Sequence, residues 1–379
     1  MTAPHHADTR PTAHRGITIA LDSFKGSISA SDACRALAAG WRAVDARARL
    51  LLRPMADGGE GTLEAIEAAA PGALRMPVTV TGPAGTPVET FWLALPDGIA
   101  AVELARTSGI ELLGDQLLPW RADTRGFGEA IRAALASRPR RLVLGIGSSA
   151  STDAGLGLLI ALGARFLDTH GAPMPPGAEG LGTLAKADLS DLAPLPPDGV
   201  TVLTDVTAPL FGPGGAAFGF GPQKGLQPAE CQAVDALLRR VAGMLPADPL
   251  SPGAGAAGGA GFALLAWGAQ LESGAAHVIG LTGFRAAAAE SRLIVTGEGR
   301  FDRQSLTGKA PGAVLGASGS TPVALVAGAI DPQADVSGFQ AAISLSALAG
   351  SGVEAQRRPA AWLEAAGSML AESVMRDGQ

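Results

Sequence analysis

Histidine is scarce in this sequence, and the positions of the few histidines limit the chemistry of the chain. Three of the five lie in the first fifteen residues, MTAPHHADTRPTAHR, which leaves His170 and His277 in the remainder. A His-based catalytic triad or a His-rich metal site is therefore nearly excluded. We interpret both remaining histidines as ordinary loop or helix positions.

Cysteine is rarer still, and no pair of cysteines suggests a metal or redox motif. Cys34 and Cys231 each lie in a segment with helical spacing, and neither has a CxxC partner. This usage predicts two reduced thiols in the core of a cytoplasmic protein. Residues 1–15 lack the apolar core of a signal peptide and are predicted to form a disordered leader.

A strong charge of one sign and a long apolar run are also missing. The net charge is −6 and the pI about 5.4, so no basic field would attract nucleic acid or an anionic membrane. Gly, Pro or charged residues interrupt each apolar stretch well short of a membrane span. We predict a soluble protein with a small-molecule substrate and neither a nucleic-acid nor a membrane partner. Whether it is a monomer or a homodimer stays open.

Lysine accounts for four of the 29 Lys and Arg residues. Lys25, Lys224 and Lys309 lie in the Gly- or Ser-rich contexts DSFKGS, GPQKG and LTGKAPG. Lysine is a compact point charge suited to phosphate or carboxylate, whereas arginine presents a wide fork. We favour a functional role for these three over the alternative of scattered surface positions.

The order of apolar segments predicts an α/β fold, with a chain of 379 residues long enough for two domains. Near both ends, strands alternate with helices as in βαβ units; the predicted strands are 17–21, 50–53, 293–296, 322–327 and 341–345. The late helices are predicted at 308–317 and 354–375. Between about residues 76 and 103, alternating segments predict antiparallel strands, with helices following at 124–136 and 153–164. We therefore predict a parallel α/β domain from residues 16–75 and 285–379, interrupted by a mixed α/β domain at 76–284.

Known nucleotide-binding motifs are absent or out of context. A Walker A loop does not occur, and one GxGxxG lies at residues 253–258 in SPGAGAAGGAGFALLAWG. This motif follows a Pro-rich loop rather than a strand, which argues against a dinucleotide fingerprint. A Gly-rich segment whose N–H groups face an anion remains an alternative to a loop that leads into an Ala-rich helix.

Two polar loops follow the first two predicted strands, where ligands of open α/β sheets bind. In LDSFKGSISASD, Asp22 is a candidate for a metal ion, and Lys25 and Ser27 are candidates for anionic oxygens; Ser29 or Ser31 would cap the helix that follows. In MADGGEGT, Asp57 and Glu60 flank two glycines, which lets the backbone approach a ligand. The same DGG is also common in tight turns.

Three further loops carry candidate groups at strand ends. GIGSSASTDAG provides Ser148, Ser149, Ser151 and Thr152, more hydroxyls than helix capping requires. VLTDVTAPLFG brings Asp205 to a strand end, where a carboxylate can accept a hydroxyl proton or bind Mg²⁺. IVTGEGRFDRQSLTGKAPG concentrates Glu298, Arg300, Asp302 and Lys309 beside glycines, and is read either as an exposed turn or as one wall of an anion site.

The chain resembles the bacterial glycerate kinase family, of the type that includes the glycerate 2-kinases. The resemblance covers residue 16 to the C-terminus and rests on seven blocks in order: LDSFKGSISA, MADGGEGT, GIGSSASTDAG, TDVTAPLFG, FGPQKG, PGAGAAGGAGFAL and TGEGRFDRQSLTGK. In the Ser-rich block, where the family tends to read GGSATNDGG, Ser148, Thr152 and Ala154 replace Gly, Asn and Gly.

The resemblance implies a two-domain α/β architecture with one Rossmann-like domain and a site in the cleft between the domains. It implies ATP-dependent phosphorylation of D-glycerate with Mg²⁺, giving 2-phosphoglycerate or, as the alternative, 3-phosphoglycerate. The predicted catalytic residues are Lys25, Asp205 and Lys224, and the predicted metal ligands are Asp57 and Glu60. The predicted substrate-binding residues are Asp22, Ser23, Ser148, Ser149, Ser151, Thr152, Glu298, Arg300 and Asp302. The predicted phosphate-binding residues are Ser27, Gly58, Gly59, Gly255, Gly258 and Lys309.

Phosphoryl transfer depends on positioning and on neutralisation of charge, so each candidate can be given a hypothetical role. Asp205 would be the general base, and Lys25 and Lys224 would neutralise the transferred charge. Two alternatives from other classes are a nicotinamide-dependent dehydrogenase, suggested by residues 253–258, and a non-enzymatic sensor of small sugar acids. A dehydrogenase would need a strand before the glycines at residues 253–258, and the sequence predicts none there. A sensor would bind glycerate without turnover of ATP.

Overall fold

The computed structural model describes residues 16–377, so the predicted leader at residues 1–15 lies outside the described residues. The chain forms two compact units. Of the described residues, those up to Met55 and from Ile279 onward form unit 1, and Ala56–Val278 form unit 2. The domain boundaries predicted at residues 75/76 and 284/285 stay predictions.

The strands lie in both units and are short, with lengths of two to eight residues in the described chain. In chain order they are β1 (Gly16–Leu21), β2 (Leu50–Leu52), β3 (Leu74–Thr81), β4 (Pro87–Ala94), β5 (Ile99–Glu103), β6 (Arg141–Gly145), β7 (Arg165–Leu167), β8 (Lys186–Asp188), β9 (Val200–Leu203), β10 (Gln270–Glu272), β11 (Ser291–Gly297), β12 (Arg300–Phe301), β13 (Val323–Ala327), β14 (Ala329–Ile330) and β15 (Ala341–Ser344).

The helices alternate with the strands along most of the chain. They are α1 (Ala30–Val44), α2 (Thr62–Ala69), α3 (Ala105–Ser108), α4 (Arg125–Ala136), α5 (Leu156–Ala161), α6 (Gly177–Leu181), α7 (Ala216–Phe220), α8 (Pro228–Ala242), α9 (Ala260–Trp267), α10 (Gly274–Leu281), α11 (Phe284–Ala289), α12 (Ala310–Ala317), α13 (Leu345–Leu348), α14 (Gly352–Arg357) and α15 (Pro359–Asp377). Short 3₁₀ turns lie at Ile110–Leu113, Pro222–Lys224 and Ala256–Gly259.

Unit 1 is built on a parallel sheet in the order β15-β13-β11-β1-β2. Strand β1 is buried along its whole length, because β11 and β2 pair with its two edges and helices α1, α11 and α12 pack against it. Helices α1 and α15 pack against each other. Their backbones approach so closely that a Cβ atom on Gly40 would lie 1.8 Å from the carbonyl oxygen of Glu364, so only glycine fits there.

Unit 2 is built on a mixed sheet in the order β10-β9-β6-β5-β4-β3. Strands β10 to β5 pair in parallel, and β4 pairs antiparallel with both β5 and β3. Large apolar side chains from the sheet and from helices α4 and α9 fill its core, among them Leu144, Phe127 and Phe262, each fully buried. The predicted α/β class, with a parallel sheet and a mixed sheet, is confirmed.

Two predicted helices differ in extent from the observed ones. The helix predicted at 354–375 is divided into α14 and α15, and Pro359, which lacks a backbone N–H, begins α15. The helix predicted at 153–164 is limited to Leu156–Ala161. Ala154 and Gly155 have φ values of 56° and 70°, in the left-handed region, so the helix cannot start before them.

The two cysteines agree with the sequence-based prediction of unpaired thiols in the core. Cys34 and Cys231 are both buried, unbridged thiols within α1 and α8. None of the helices within residues 16–377 is both long enough and apolar enough to cross a membrane. In each unit, the polar loops identified in the sequence follow the carboxyl ends of sheet strands, which is where an open parallel sheet presents ligand-binding groups.

Candidate functional site

The Asp57–Glu60 loop of unit 2 lies against the ends of strands β6 and β9. Gly58 has a φ of 96°, and a Cβ atom there would lie 2.4 Å from the carbonyl oxygen of Leu203. The carbonyl of Gly58 accepts a 2.9 Å hydrogen bond from the N–H of Gly147. The loop is therefore fixed by backbone contacts that tolerate no side chain at residue 58.

Asp205 lies two residues beyond the end of β9, and its two carboxylate oxygens have different surroundings. Oδ1 accepts hydrogen bonds from Ser273 Oγ at 2.9 Å and from the N–H of Gly274 at 3.0 Å. Oδ2 is buried and has no hydrogen-bond partner among residues 16–377. Burial raises the pKa of Asp205 to about 6, and the charge of Asp57 adds to this effect. Asp205 is thus an oriented carboxylate with one oxygen available to a hydroxyl proton.

Asp57 and Asp205 both contact Gly274. A Cβ atom on Gly274 would lie 1.9 Å from the carbonyl oxygen of Asp57, while the N–H of Gly274 donates to Asp205. Asp57 Oδ1 accepts a 3.0 Å hydrogen bond from the N–H of Gly59. We call Asp57, Asp205 and the Ser273–Gly274 pair the Asp205 cluster.

Lys224 is buried, with 3% of its surface exposed, although lysine is rarely buried in proteins. Its Nζ donates to Ser149 Oγ at 3.3 Å and to the carbonyl of Ser151 at 2.5 Å. Burial lowers the pKa of Lys224 to about 8, and the negative charge of Asp153 opposes that effect. A buried ammonium held by uncharged oxygens is suited to bind an anionic ligand.

The Ser148–Thr152 loop surrounds Lys224, together with the Gly-rich segment that precedes α9. Ser149 Oγ lies 3.3 Å from the carbonyl oxygen of Ala257, and a Cβ atom on Gly258 would lie 2.0 Å from the carbonyl oxygen of Ser151. Thr152 Oγ1 is buried without a hydrogen-bond partner in the described chain. We call Ser149, Ser151, Thr152 and Lys224 the Lys224 cluster. Its free hydroxyl and its ammonium are donors of the kind that bind carboxylate or phosphate.

Backbone N–H groups at two predicted phosphate-binding glycines are engaged within the chain. The N–H of Gly59 donates to Asp57, and the N–H of Gly255 donates to the carbonyl of Ala208 at 2.9 Å. Residues 253–258 follow irregular chain after α8 rather than a strand, as predicted. Gly59 and Gly255 therefore contribute to the packing of neighbouring loops.

Within unit 1, a second group of predicted residues follows strand β11. Lys309 Nζ lies 3.9 Å from Glu298 Oε2, and Arg300 lies 3.3 Å from Asp331. Asp302 stabilises its own loop, because its Oδ1 accepts a hydrogen bond from the N–H of Gln304 at 2.9 Å. Lys309 and Arg300 are thus each near an acidic side chain of the same unit.

The loop after β1 lies beside this group in unit 1. A Cβ atom on Gly299 would lie 3.3 Å from both the Cα of Phe24 and the N atom of Lys25. Asp22 Oδ1 accepts a 2.6 Å hydrogen bond from the N–H of Ser23, and Ser27 Oγ donates to the carbonyl of Gln356. Lys25 itself is exposed.

The acidic residues proposed as metal ligands do not form a closed protein cage. Residues 16–377 contain no group of three or more His, Cys, Asp or Glu side chains placed to hold a metal ion. Asp57 is half-buried and Glu60 is exposed. One or two carboxylates fit Mg²⁺ carried on a nucleotide, because such Mg²⁺ keeps water and phosphate oxygens as its other ligands.

The structure adds three residues that the sequence-based prediction missed. Ser273 orients Asp205, and Asp153 accepts hydrogen bonds from the N–H groups of Thr124 and Gly157 beside the Lys224 cluster. Glu103, the last residue of β5, is buried at 1% exposure. An acidic residue at the end of the apolar segment IAAVE is the one sequence signal that could have identified Glu103.

Comparison with known proteins identifies the family. The sequence pattern of the glycerate kinase family matches residues 17–375. The chain belongs to the glycerate kinase family. Because the family consists of phosphotransferases, the chain is an enzyme of that class.

Individual relatives extend over most of the chain. It is 42% identical to glycerate 2-kinase of Escherichia coli (strain K12), over 78% of this chain and 80% of the relative. It is 41% identical to glycerate kinase of Bacillus subtilis (strain 168), over 83% and 85% respectively. A crystal structure from Salmonella typhimurium LT2, provisionally assigned as glycerate kinase 2, superposes with a TM-score of 0.80 at 36% identity, covering 96% of this chain and 99% of that one.

Proposed function

We propose that the protein phosphorylates D-glycerate with ATP and Mg²⁺, giving 2-phosphoglycerate. Membership of the glycerate kinase family over nearly the whole chain supports the substrate class. The similarity to a relative named glycerate 2-kinase favours the 2-phosphate over the 3-phosphate. The observation in the structure that carries the proposal is Asp205, whose Oδ2 is buried without a partner among the described residues.

In this proposal Asp205 accepts the proton of the attacking hydroxyl. Its pKa of about 6 leaves it ionised at neutral pH, while its affinity for a proton exceeds that of an ordinary aspartate. The hydrogen bonds from Ser273 and Gly274 hold Oδ1, so Oδ2 faces the hydroxyl. A base held in this way raises the rate by roughly 10²- to 10⁴-fold.

The Lys224 cluster binds an anionic group of the reactants in this proposal. Lys224 Nζ and Thr152 Oγ1 supply a charge and a free hydroxyl to the carboxylate of glycerate or to a phosphate, and the predicted substrate-binding role of Ser148, whose Oγ lies near Gly59, stays a prediction. Asp57 and Glu60 would hold Mg²⁺, whose chemistry is to neutralise the phosphate charge. The roles given to Asp22, Ser23, Lys25, Ser27, Glu298, Arg300, Asp302 and Lys309 stay predictions, as does the placement of the active site between two domains.

A coupled assay tests the reaction and its product together. The protein is incubated with Mg-ATP and D-glycerate, ADP is measured, and enolase is added without a mutase. Immediate formation of phosphoenolpyruvate identifies 2-phosphoglycerate. ADP without phosphoenolpyruvate would instead identify the 3-phosphate, and no ADP would refute the kinase.

The same samples separate the two alternatives from other classes. A nicotinamide-dependent dehydrogenase would change the absorbance of NADH with hydroxypyruvate. A sensor of sugar acids would bind D-glycerate in a calorimeter while ATP stays intact. The absence of a strand before residues 253–258 already argues against the dehydrogenase.

A further inference from the structure

Helix α2 begins directly after the Asp57–Glu60 loop, and its first residues lack a local cap. The N-cap position is Gly61, which has no side chain to accept the first N–H groups of the helix. Its φ of 87° lies in the left-handed region, whereas a Ser or Asp that caps a helix requires an extended backbone. The N–H of Thr62 donates to the carbonyl of Gly59 at 3.3 Å, which leaves the N–H groups of Gly61 and Leu63 to be satisfied from elsewhere in the fold.

The carboxylate of Glu103 supplies that cap from a different element. Its Oε2 accepts a 2.9 Å hydrogen bond from the N–H of Leu63, and its Oε1 accepts a 3.3 Å hydrogen bond from the N–H of Gly61. Glu103 ends strand β5, forty residues further along the chain than Leu63. A negative charge at this position also interacts favourably with the positive end of the helix dipole.

The charges around Glu103 fit a fixed rather than a mobile carboxylate. Arg106 Nε lies 3.9 Å from Glu103 Oε1, and the Arg106 guanidinium forms an ion pair with Glu64 and lies over the ring of Phe91. Glu60 is the nearby charge of the same sign. Burial raises the pKa of Glu103 to about 7, against the effect of its backbone hydrogen bonds. The two backbone hydrogen bonds and the nearby Arg106 hold the Glu103 carboxylate in place.

The end of the neighbouring strand β6 also contacts the loop. The N–H of Gly147 donates to the carbonyl of Gly58, and the carbonyl oxygen of Gly58 leaves no space for a side chain at Gly145. Glu103 lies in register with Gly145 on the neighbouring strand β6. The loop that carries Asp57 is thus held by two neighbouring strand ends, through Gly145 and Gly147 at the end of β6 and through the Glu103 carboxylate at the end of β5.

We propose that Glu103 is a positioning residue for the phosphoryl-transfer reaction, because its carboxylate caps α2 and thereby fixes the Asp57–Glu60 loop. The inference rests on the proposed function, in which Asp57 and Glu60 act on the phosphate-bound Mg²⁺. Glu103 touches no reactant in this scheme. Its effect reaches the reaction through the loop, where a displacement of about 1 Å costs on the order of a hundredfold in rate.

The test compares Glu103→Gln with Glu129→Gln as a matched control. Glu129 also holds a backbone N–H in unit 2, since its carboxylate accepts a 2.6 Å hydrogen bond from Thr81, but it lies outside both clusters. Three quantities are measured: kcat and KM for D-glycerate and Mg-ATP, the midpoint of thermal unfolding, and amide hydrogen exchange at Gly61 and Leu63.

We expect Glu103→Gln to lower kcat by roughly tenfold to a hundredfold and to speed exchange at Gly61 and Leu63. Glu129→Gln should retain kcat and the exchange rates at these two amides. If Glu103→Gln does not fold, Glu103→Asp, which keeps the charge but shortens the side chain, should give the same loss of kcat.

Two results would overturn the inference. In one, exchange at Gly61 and Leu63 increases while kcat stays at the wild-type value. In the other, both Gln variants lose activity only in proportion to their loss of thermal stability. A wild-type protein without ADP production would refute the proposed function and the catalytic part of this inference, whereas the exchange data would still report separately on the cap.

Discussion

At the scale of single residues, burial has shifted the pKa values of Asp205 and Lys224 in opposite directions. These are the two groups most important to the proposed chemistry. The pKa of Asp205 is raised to about 6 and that of Lys224 is lowered to about 8. Both shifts follow from the cost of a charge away from water. Both pKa values thereby come closer to pH 7, where general acid–base chemistry is most effective.

These shifts predict a bell-shaped dependence of kcat/KM on pH. Asp205 acts as a base only when ionised, so activity should fall as the pH drops below about 6. Lys224 binds an anion only when protonated, so activity should fall as the pH rises above about 8. Initial rates between pH 5 and pH 9 in a constant-ionic-strength buffer measure both limbs. A flat profile across this range would contradict the roles of both residues.

Replacement of Asp205 tests the base directly. We expect Asp205→Asn to lower kcat by about 10²-fold or more and to remove the acid limb of the profile from the residual activity. Circular dichroism and the unfolding midpoint provide the folding control. Near-normal turnover in a folded Asp205→Asn protein would show that another group accepts the proton.

Glycine at residue 58 is required by a close approach as well as by its φ. We expect Gly58→Ala to destabilise the fold by at least about 2 kcal/mol, because the new Cβ would meet the carbonyl of Leu203. Gly85 has a comparable φ of 77°, but a Cβ atom there meets no atom within 4 Å, so Gly85→Ala should cost about 1 kcal/mol. Urea denaturation of the two variants gives the comparison. Equal losses would show that the contact with Leu203 relaxes freely.

At the scale of elements, the N-termini of α1 and α2 are capped in different ways, the first by a neighbouring residue and the second by a residue from a distant strand. Helix α1 is capped locally, since Ser29 Oγ accepts a 3.1 Å hydrogen bond from the N–H of Asp32. Helix α2 has no such residue and depends on Glu103 from β5. The first kind of cap can be read from adjacent residues, whereas the second requires the sheet to be formed.

The sequence left Ser29 and Ser31 as alternative caps of α1, and the structure selects Ser29. We expect Ser29→Ala to lower the free energy of unfolding by about 1 kcal/mol, because one N–H at the helix start loses its acceptor. Ser31→Ala, within the first turn, is the matched control and should have little effect. Denaturant titrations monitored by tryptophan fluorescence measure both. A larger loss for Ser31→Ala would reverse the assignment.

At the scale of the whole molecule, the chain folds back so that both of its ends form one sheet. Strand β1 lies between β2, which follows it, and β11, which comes from the far end of the chain. Unit 2 is contiguous between them. Long-range pairing of this kind couples the stability of the N-terminal and C-terminal segments.

This topology predicts different behaviour of fragments. A fragment of residues 56–281 contains all of the unit 2 sheet and the whole of α10, so we expect it to fold cooperatively by itself. A fragment of residues 1–55 should be largely unfolded, because β1 has lost β11, and it should gain helix when residues 279–379 are added. Far-UV circular dichroism measures the helix content. A stable helical fold of residues 1–55 alone would contradict the prediction.

The sequence by itself determined the α/β class, the strands 17–21, 293–296 and 322–327 within one residue or two, and the family. Those features depend on the local alternation of apolar segments and on ordered motifs, which neighbouring residues encode. It could not place the break at Pro359 within the predicted helix 354–375, because a proline can also begin a helix. Nor could the spacing of residues show that α5 starts only after the left-handed pair Ala154 and Gly155.

The tertiary structure alone decided which polar groups work together. It buried Lys224 against Ser149 and Ser151, left Oδ2 of Asp205 without a partner in the described chain, and brought Glu103 to the start of α2. It also showed that the N–H groups of Gly59 and Gly255 are engaged within the protein. The physical reason is that burial and hydrogen bonding depend on contacts between residues far apart in the chain, and these contacts set the pKa values on which the proposed chemistry depends.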